Sequence, residues 1–174
     1  MRPPVFPVVT VCALLLGSLS TVGAASVGTE NSLPQLVGQA DLIAEFELVD
    51  AHPEMLADGT IQTAYTFSTL TPMKGRPASI LEIRMPGGEI AGRGLYLPGM
   101  PEIQIGDRHI LFLSELGEEK PWRLPVGLAA GAWKVVGGGE AAQVVSQAEQ
   151  EVGIDVRSYN DFVTAVLEEV ARQH

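Results

Sequence analysis

Residues 86–115, PGGEIAGRGLYLPGMPEIQIGDRHILFLSE, constrain the fold more than any other part of this chain. Glycine and proline divide the stretch into short alternating runs, a pattern that consecutive β-strands joined by tight turns satisfy and a helix does not. A Pro86-Gly87-Gly88 corner leads into residues 89–97, which read as one glycine-spaced strand ending at Pro98-Gly99, and residues 103–106 read as a short extended piece. Residues 107–114, DRHILFLS, are apolar on both faces, the mark of a central strand covered on both sides. The polar residues of the stretch stand at no metal-site spacing and form no nucleophile–base pair, so it carries a fold rather than chemistry.

The flanking segments fit the same architecture. Ser32 is placed to cap a short helix over 33–37, with Pro34 in the first turn where its missing N–H is harmless. In 41–50, Leu42, Ala44, Phe46 and Leu48 share one face, while Glu45 and Glu47 share the other with Ile43 and Val49, which predicts a strand with one wet face. Residues 51–59 read as a polar connection containing Pro53 and Asp58-Gly59. A long strand then begins at Thr60, with Ile61, Thr63, Tyr65 and Phe67 inward. Leu70 is one position out of phase, which predicts a β-bulge near Ser68 and Thr69. Residues 79–85 alternate again, with Leu81, Ile83 and Met85 inside and Glu82 and Arg84 outside. Residues 120–131 read as a loop or irregular strand, and 133–136 with 142–146 as a hairpin around Gly137-Gly138-Gly139-Glu140. Ser158 and Asp161 resemble a capping box opening a helix over 158–172, whose stripe is Tyr159, Phe162, Val163, Val166, Leu167 and Val170. The fold class is mainly β: a small, partly open barrel of five to seven strands with a short N-terminal helix and a packed C-terminal helix.

The N-terminus carries Arg2, an apolar run from Val5 to Leu16 and small residues through Ser26, the order of a secretory signal peptide over 1–25. The run falls short of the roughly 20 residues that span a bilayer. Residues 26–174 then form a single domain with no cysteine, because Cys12 lies in the signal. A disulfide-free exported chain suits a bacterial periplasm or secretome, so the predicted location is extracytoplasmic. The formal charge of the full chain is −10, and loss of Arg2 makes the mature chain one unit more negative. That balance excludes nucleic acid and anionic lipid as natural partners, and no stable membrane insertion is expected after cleavage.

Candidate sites are few. His52 beside Pro53, His109 in the central strand and His174 at the terminus are too dispersed for a metal, and neither a cofactor nor a metal is predicted. His109 shares a face with Leu111 and Leu113 and reads as a histidine satisfied in a barrel wall rather than a ligand. No G-x-S-x-G elbow occurs. Glu118-Glu119 and Glu168-Glu169 read as solvated pairs, and Asp58-Gly59 as a turn. The glycine cluster Gly87, Gly88, Gly92 and Gly94, with Tyr96, is the one candidate contact surface: glycines at a sheet rim let a partner's backbone approach closely. The same glycines also suit the tight corners of a small barrel. They form no phosphate loop, because no Lys-Ser/Thr follows them.

The entry ADLIAEFEL, the strand TAYTFSTLTPMKG, the block PGGEIAGRGLYLPGMPEIQIGDRHILFL and the later PVGLAAGAWKV together resemble a domain of secreted bacterial proteins, sometimes found ahead of a matrixin-type zinc metalloprotease. The resemblance covers about 40–133. It implies a five-stranded OB-like barrel similar to the tissue inhibitors of metalloproteinases and to netrin-like modules. Two departures limit it: no HExxH motif is present, and no mature N-terminal cysteine could chelate a target zinc. The expected function is that of an exported, non-enzymatic module binding a protein or peptide, in the neighbourhood of proteolysis. The alternatives are a small extracytoplasmic hydrolase with a site assembled from distant residues, and a structural envelope component.

Overall fold

A computed structural model describes residues 31–119, 122–148 and 155–173; the segment expected to be a signal peptide and His174 lie outside the described residues. The chain is mainly β. Helix α1 (Leu33–Gln39) precedes β1 (Leu42–Met55), β2 (Ile61–Lys74) and β3 (Ile80–Pro86), then a small hairpin of β4 (Gly88–Ile90) and β5 (Arg93–Leu95), and the central β6 (Arg108–Leu113). A 3-10 turn over Leu128–Gly131, β7 (Ala132–Val136), β8 (Gln143–Ser146), β9 (Val156–Ser158) and α2 (Tyr159–Arg172) complete it. Seven strands form one antiparallel sheet in the order β3-β2-β1-β6-β7-β8-β9, and β4 and β5 form a second, two-stranded sheet.

The large sheet is open. Residues 122–126 cross from one part of it to another without forming a strand. Trp122 bridges Arg84 of β3 in parallel, and Pro125 bridges Leu113 of β6 antiparallel. The Arg123 N–H donates to the Arg84 carbonyl at 3.2 Å, and the Val126 N–H donates to that of Phe112 at 2.7 Å.

Several sequence expectations are corrected. The polar segment 51–59 is no loop: β1 continues to Met55, and the connection shrinks to a tight turn closed by Leu56 N–H to Thr60 O at 2.8 Å. Pro53 is tolerated because β1 leaves β6 after Glu47, so one edge of the strand is unpaired where the proline lacks its donor. The bulge is real but centred on Leu70, which is left out between the pairs Phe46–Thr69 and Glu45–Thr71. Residues 89–97 are not one strand: Ala91 (φ 50°) and Gly92 (φ 74°) reverse the chain as a two-residue loop with positive φ at both positions, the geometry that suits the twist of a hairpin. Residues 103–106 form no strand; the chain turns there, the Asp107 N–H donating to the Gln104 carbonyl. The β7–β8 hairpin and the central, almost wholly buried β6 are as the sequence predicts.

Two cores lie on opposite faces of the sheet. One gathers Phe46, Leu48, Phe67, Ile83, Met85, Leu111 and Leu113, the even positions of β1 with their counterparts. The other lies beneath the helices, where Leu36, Val37, Phe162 and Val166 cover Ile43, Ile110, Phe112, Trp133, Val135 and Val144. The Phe162 ring sits 4.4 Å from that of Trp133 and meets Phe112 edge-on at 6.3 Å, an arrangement rings favour beyond mere burial.

This second core overturns the wet face assigned to Glu45. Its carboxylate is buried beneath the start of α2, where Arg108 donates to Oε1 from Nε and Nη2 at 2.8 and 2.6 Å and the Tyr159 hydroxyl donates to Oε2 at 2.6 Å. A buried charge is tolerable only when paired and hydrogen-bonded in this way. Burial, and then the Glu45 carboxylate, push the Tyr159 hydroxyl pKa up. In α2, Leu167 is 46 % exposed and falls off the predicted stripe, while Glu169, predicted to be solvated, is buried. Its carboxylate accepts from Gln173 Nε2 at 2.8 Å and pairs with Arg172 at 2.6 Å. The same Gln173 nitrogen donates to the Pro34 carbonyl, tying the end of α2 to α1. Ser158 precedes α2 without a side-chain cap, because it belongs to β9 and pairs with Gln143.

Candidate functional site

The glycine-rich segment has a packed base and an open tip. At the base, Gly87 (φ 115°) and Gly88 (φ 125°) hold a conformation other residues rarely reach, and a side chain at Gly88 would run into Thr63 Oγ1 and Pro53. Thr63 donates that hydroxyl to the Gly87 carbonyl at 2.8 Å, locking the corner to β2. These two glycines therefore serve the fold. At the tip, a side chain at Gly92 would meet nothing within 4 Å, and one at Gly94 only the Gly88 carbonyl at 3.9 Å. Gly94 also has no positive φ, so nothing in the backbone demands glycine there. The outer edge of β5 pairs with no strand among the described residues.

Beyond β5, Tyr96 is 84 % exposed and follows the exposed Leu95. Its ring borders an open cleft of about 410 Å³, whose walls include Gly99, Met100 and Glu102 on one side and Leu128, Ala130 and Gln147 on the other. The loop carrying Tyr96 is held along its length. The Gly99 carbonyl accepts from Ala129 N–H at 2.8 Å, and the Glu102 backbone makes two bonds to the Gln147 amide at 2.8 and 3.0 Å. Farther on, Gly106 N–H donates to Leu48 O and Lys134 Nζ pairs with Asp107 at 2.8 Å. Burial works against the Asp107 carboxylate, but hydrogen bonds from Lys134 and the Gln104 N–H outweigh it and hold its pKa below the usual carboxylate value.

Backbone strain marks both the hairpin loop and the cleft wall. Three non-glycine residues have positive φ among the described residues: Ala91 in the hairpin loop, and Asn31 and Leu128 in the cleft wall. Such conformations cost about 1 kcal/mol or more each and persist only where surrounding structure imposes them, often at ligand-binding positions.

The histidines are separate from one another. His52 is on β1 rather than in a loop, half-exposed between Asp50 at 3.4 Å and Glu54 at 3.2 Å. His109 is fully buried; burial above all lowers its pKa to about 4, with Lys134 acting in the same direction and Asp107 against it. Among the described residues no group of three or more His, Cys, Asp or Glu side chains could hold a metal ion, and no helix is long and apolar enough to cross a membrane. Glu118 and Glu119 are exposed.

Of the predicted site residues, Gly92 is in the hairpin loop and Gly94 midway along β5, whereas Tyr96 leaves β5 at the opposite end, one residue past the Gly88–Leu95 pair and near Gly87. Sequence reading missed the opposite wall, Leu128, Ala130 and Gln147, which reaches the rim from segments far along the chain. The PVGLAAGAWKV block was the available signal: its Gly127 has φ 64° and opens the turn into Leu128, and a Cβ at Gly131 would strike the Val126 backbone. Comparison of the chain with protein-family models, with curated proteins and with solved structures finds no match.

Proposed function

We propose that this protein is an exported, non-enzymatic binding module that captures an extended segment of a protein or peptide at the rim formed by β5, Tyr96 and the adjoining cleft. The observation that carries the reading is Tyr96: a large amphipathic ring left in solvent on a loop whose backbone is fixed at both ends and in the middle. Fixed loops lose little freedom on binding, and exposed tyrosine is the side chain that interface centres favour. The unpaired edge of β5 offers backbone N–H and C=O groups to an added strand, and the cleft beside it offers room for that strand's side chains. An acidic chain suits a partner segment that carries basic residues.

Two features favour binding over hydrolysis. His109 presents no ring nitrogen to solvent, and Gln147 rather than an acid or a nucleophile lies against its Nε2. The bridges of residues 122–126, parallel to β3 and antiparallel to β6, stand where a barrel of β1, β2, β3 and β6 would close, which supports the OB-like reading. With that reading goes the resemblance to inhibitor-like modules and a place near proteolysis. The signal segment in turn supports an extracytoplasmic location.

Panning displayed random peptides against the folded domain tests the proposal. Binders are expected that the Tyr96→Ser and Gly94→Val variants fail to retain at unchanged melting temperature. A parent domain that enriches no peptide, or variants that retain binders as the parent does, would overturn it.

A further inference from the structure

Beneath the cleft lies a three-way hydrogen-bonded junction whose geometry admits only one protonation state. The Gln147 amide sits between the backbone of Glu102 and the ring of His109: Oε1 accepts from the Glu102 N–H at 2.8 Å, Nε2 donates to the Glu102 carbonyl at 3.0 Å, and Nε2 also lies 2.6 Å from His109 Nε2. The pairing with a backbone N–H and C=O fixes which end of the amide is oxygen, because the reverse orientation would set donor against donor and acceptor against acceptor. Both amide hydrogens are then committed, one to Glu102 and one to the imidazole. His109 Nε2 must therefore accept, which leaves the proton of the neutral ring on Nδ1, a buried atom without a partner.

We infer that this junction is an acid-sensitive latch: a second proton on His109 breaks its bond to Gln147 and releases the loop of residues 97–107 from the wall of the cleft. Once Nε2 carries a proton, two donors face each other across the shortest contact of the junction. Gln147 can relieve the conflict by turning its oxygen to the ring, and doing so forfeits both bonds to Glu102. The loop has its other ties at Gly99, Gly106 and Asp107, so its middle, with Met100 and Glu102, is the part set loose.

Among the described residues the charged groups acting on the ring are few. Asp107, in the turn before β6, and Lys134, opposite His109 on β7, pair with each other; the β1 residue opposite is the uncharged Phe46; and the Glu102 side chain is exposed. The buried ring resists the second proton until the solution is well below neutral, consistent with its pKa of about 4. The latch does not depend on whether the rim binds a peptide.

Amide hydrogen exchange on the folded domain tests it, read at Glu102 and, as control, along the β1–β6 ladder, with rates corrected for intrinsic pH dependence. Between pH 7 and pH 4 the protection at Glu102 should fall tenfold or more while the ladder stays protected. In His109→Met it should not respond to pH, and in Gln147→Leu it should already be low at pH 7 and fall no further. Protection that is unchanged in the parent, that falls equally along the ladder, or that responds to acid in Gln147→Leu as in the parent would overturn the latch. Gln147→Leu carries the test alone should His109→Met fail to fold.

Discussion

The helix-covered face of the sheet and the rim around Tyr96 are ordered by different means. Under α2, order comes from side chains: Phe162, Trp133 and Phe112 interlock, and even the carboxylates there, Glu45 and Glu169, are buried and paired. At the rim, order comes from backbone bonds and one amide, Gln147, while the largest side chain points into water. The difference separates stability from surface chemistry. A side chain that holds the helix in place is unavailable to a partner, whereas Tyr96 can be changed without disturbing what holds its loop.

The contrast can be broken most forcefully at the helix. Phe162→Ala should lower stability by about 3–5 kcal/mol, since it removes a fully buried ring packed at a tilt against Trp133. A loss under about 1 kcal/mol in denaturant titration would mean α2 is not held by its rings. Acidification should weigh nearly as much through His109. Its native pKa is about 4 against 6.5 for the ordinary group, so the unfolded chain binds the extra proton first as pH falls. The contribution of the neutral ring is complete above about pH 6.5, declines through that window and is gone below about pH 4, some 3 kcal/mol in all. The difference in unfolding free energy between parent and His109→Met, followed from pH 7 to pH 4, should shrink accordingly; a constant difference would contradict the burial argument.

Within the glycine segment the same contrast recurs on a smaller scale. Gly88→Val forces a β-branched residue into positive φ against Thr63 and should cost about 2–3 kcal/mol. Gly94→Val, with open space and an ordinary backbone, should stay within about 0.5 kcal/mol. Melting curves showing equal losses would erase the distinction between base and tip.

Much of the architecture was legible because it follows from alternation. The central burial of β6, the β7–β8 hairpin, both helices and the bulge at Leu70 all leave marks within a few residues of themselves. What escaped was decided at a distance. Glu45 alternates as a wet residue should, and only the arrival of Tyr159, more than a hundred positions later, buries it. Pro53 signals a break, yet β1 runs through it because β6 has already ended. The hairpin at Ala91-Gly92 was hidden because a glycine-spaced run reads equally well as one strand or two. For the candidate rim, the glycines and Tyr96 could be named from one stretch, but the facing wall of Leu128 and Gln147 has no spacing that announces it. Nor could the sequence separate Gly88, needed by a corner, from Gly94, which no contact requires.

The claim that the rim is a contact surface independent of the fold is tested most directly by titrating a peptide selected on the parent domain into parent and Tyr96→Ser, with melting curves recorded on the same samples. Loss of an exposed tyrosine at an interface centre predicts a Kd weakened tenfold or more, about 1.4 kcal/mol or above, at melting temperatures that agree within a degree or two. An unchanged Kd at equal stability would contradict the account.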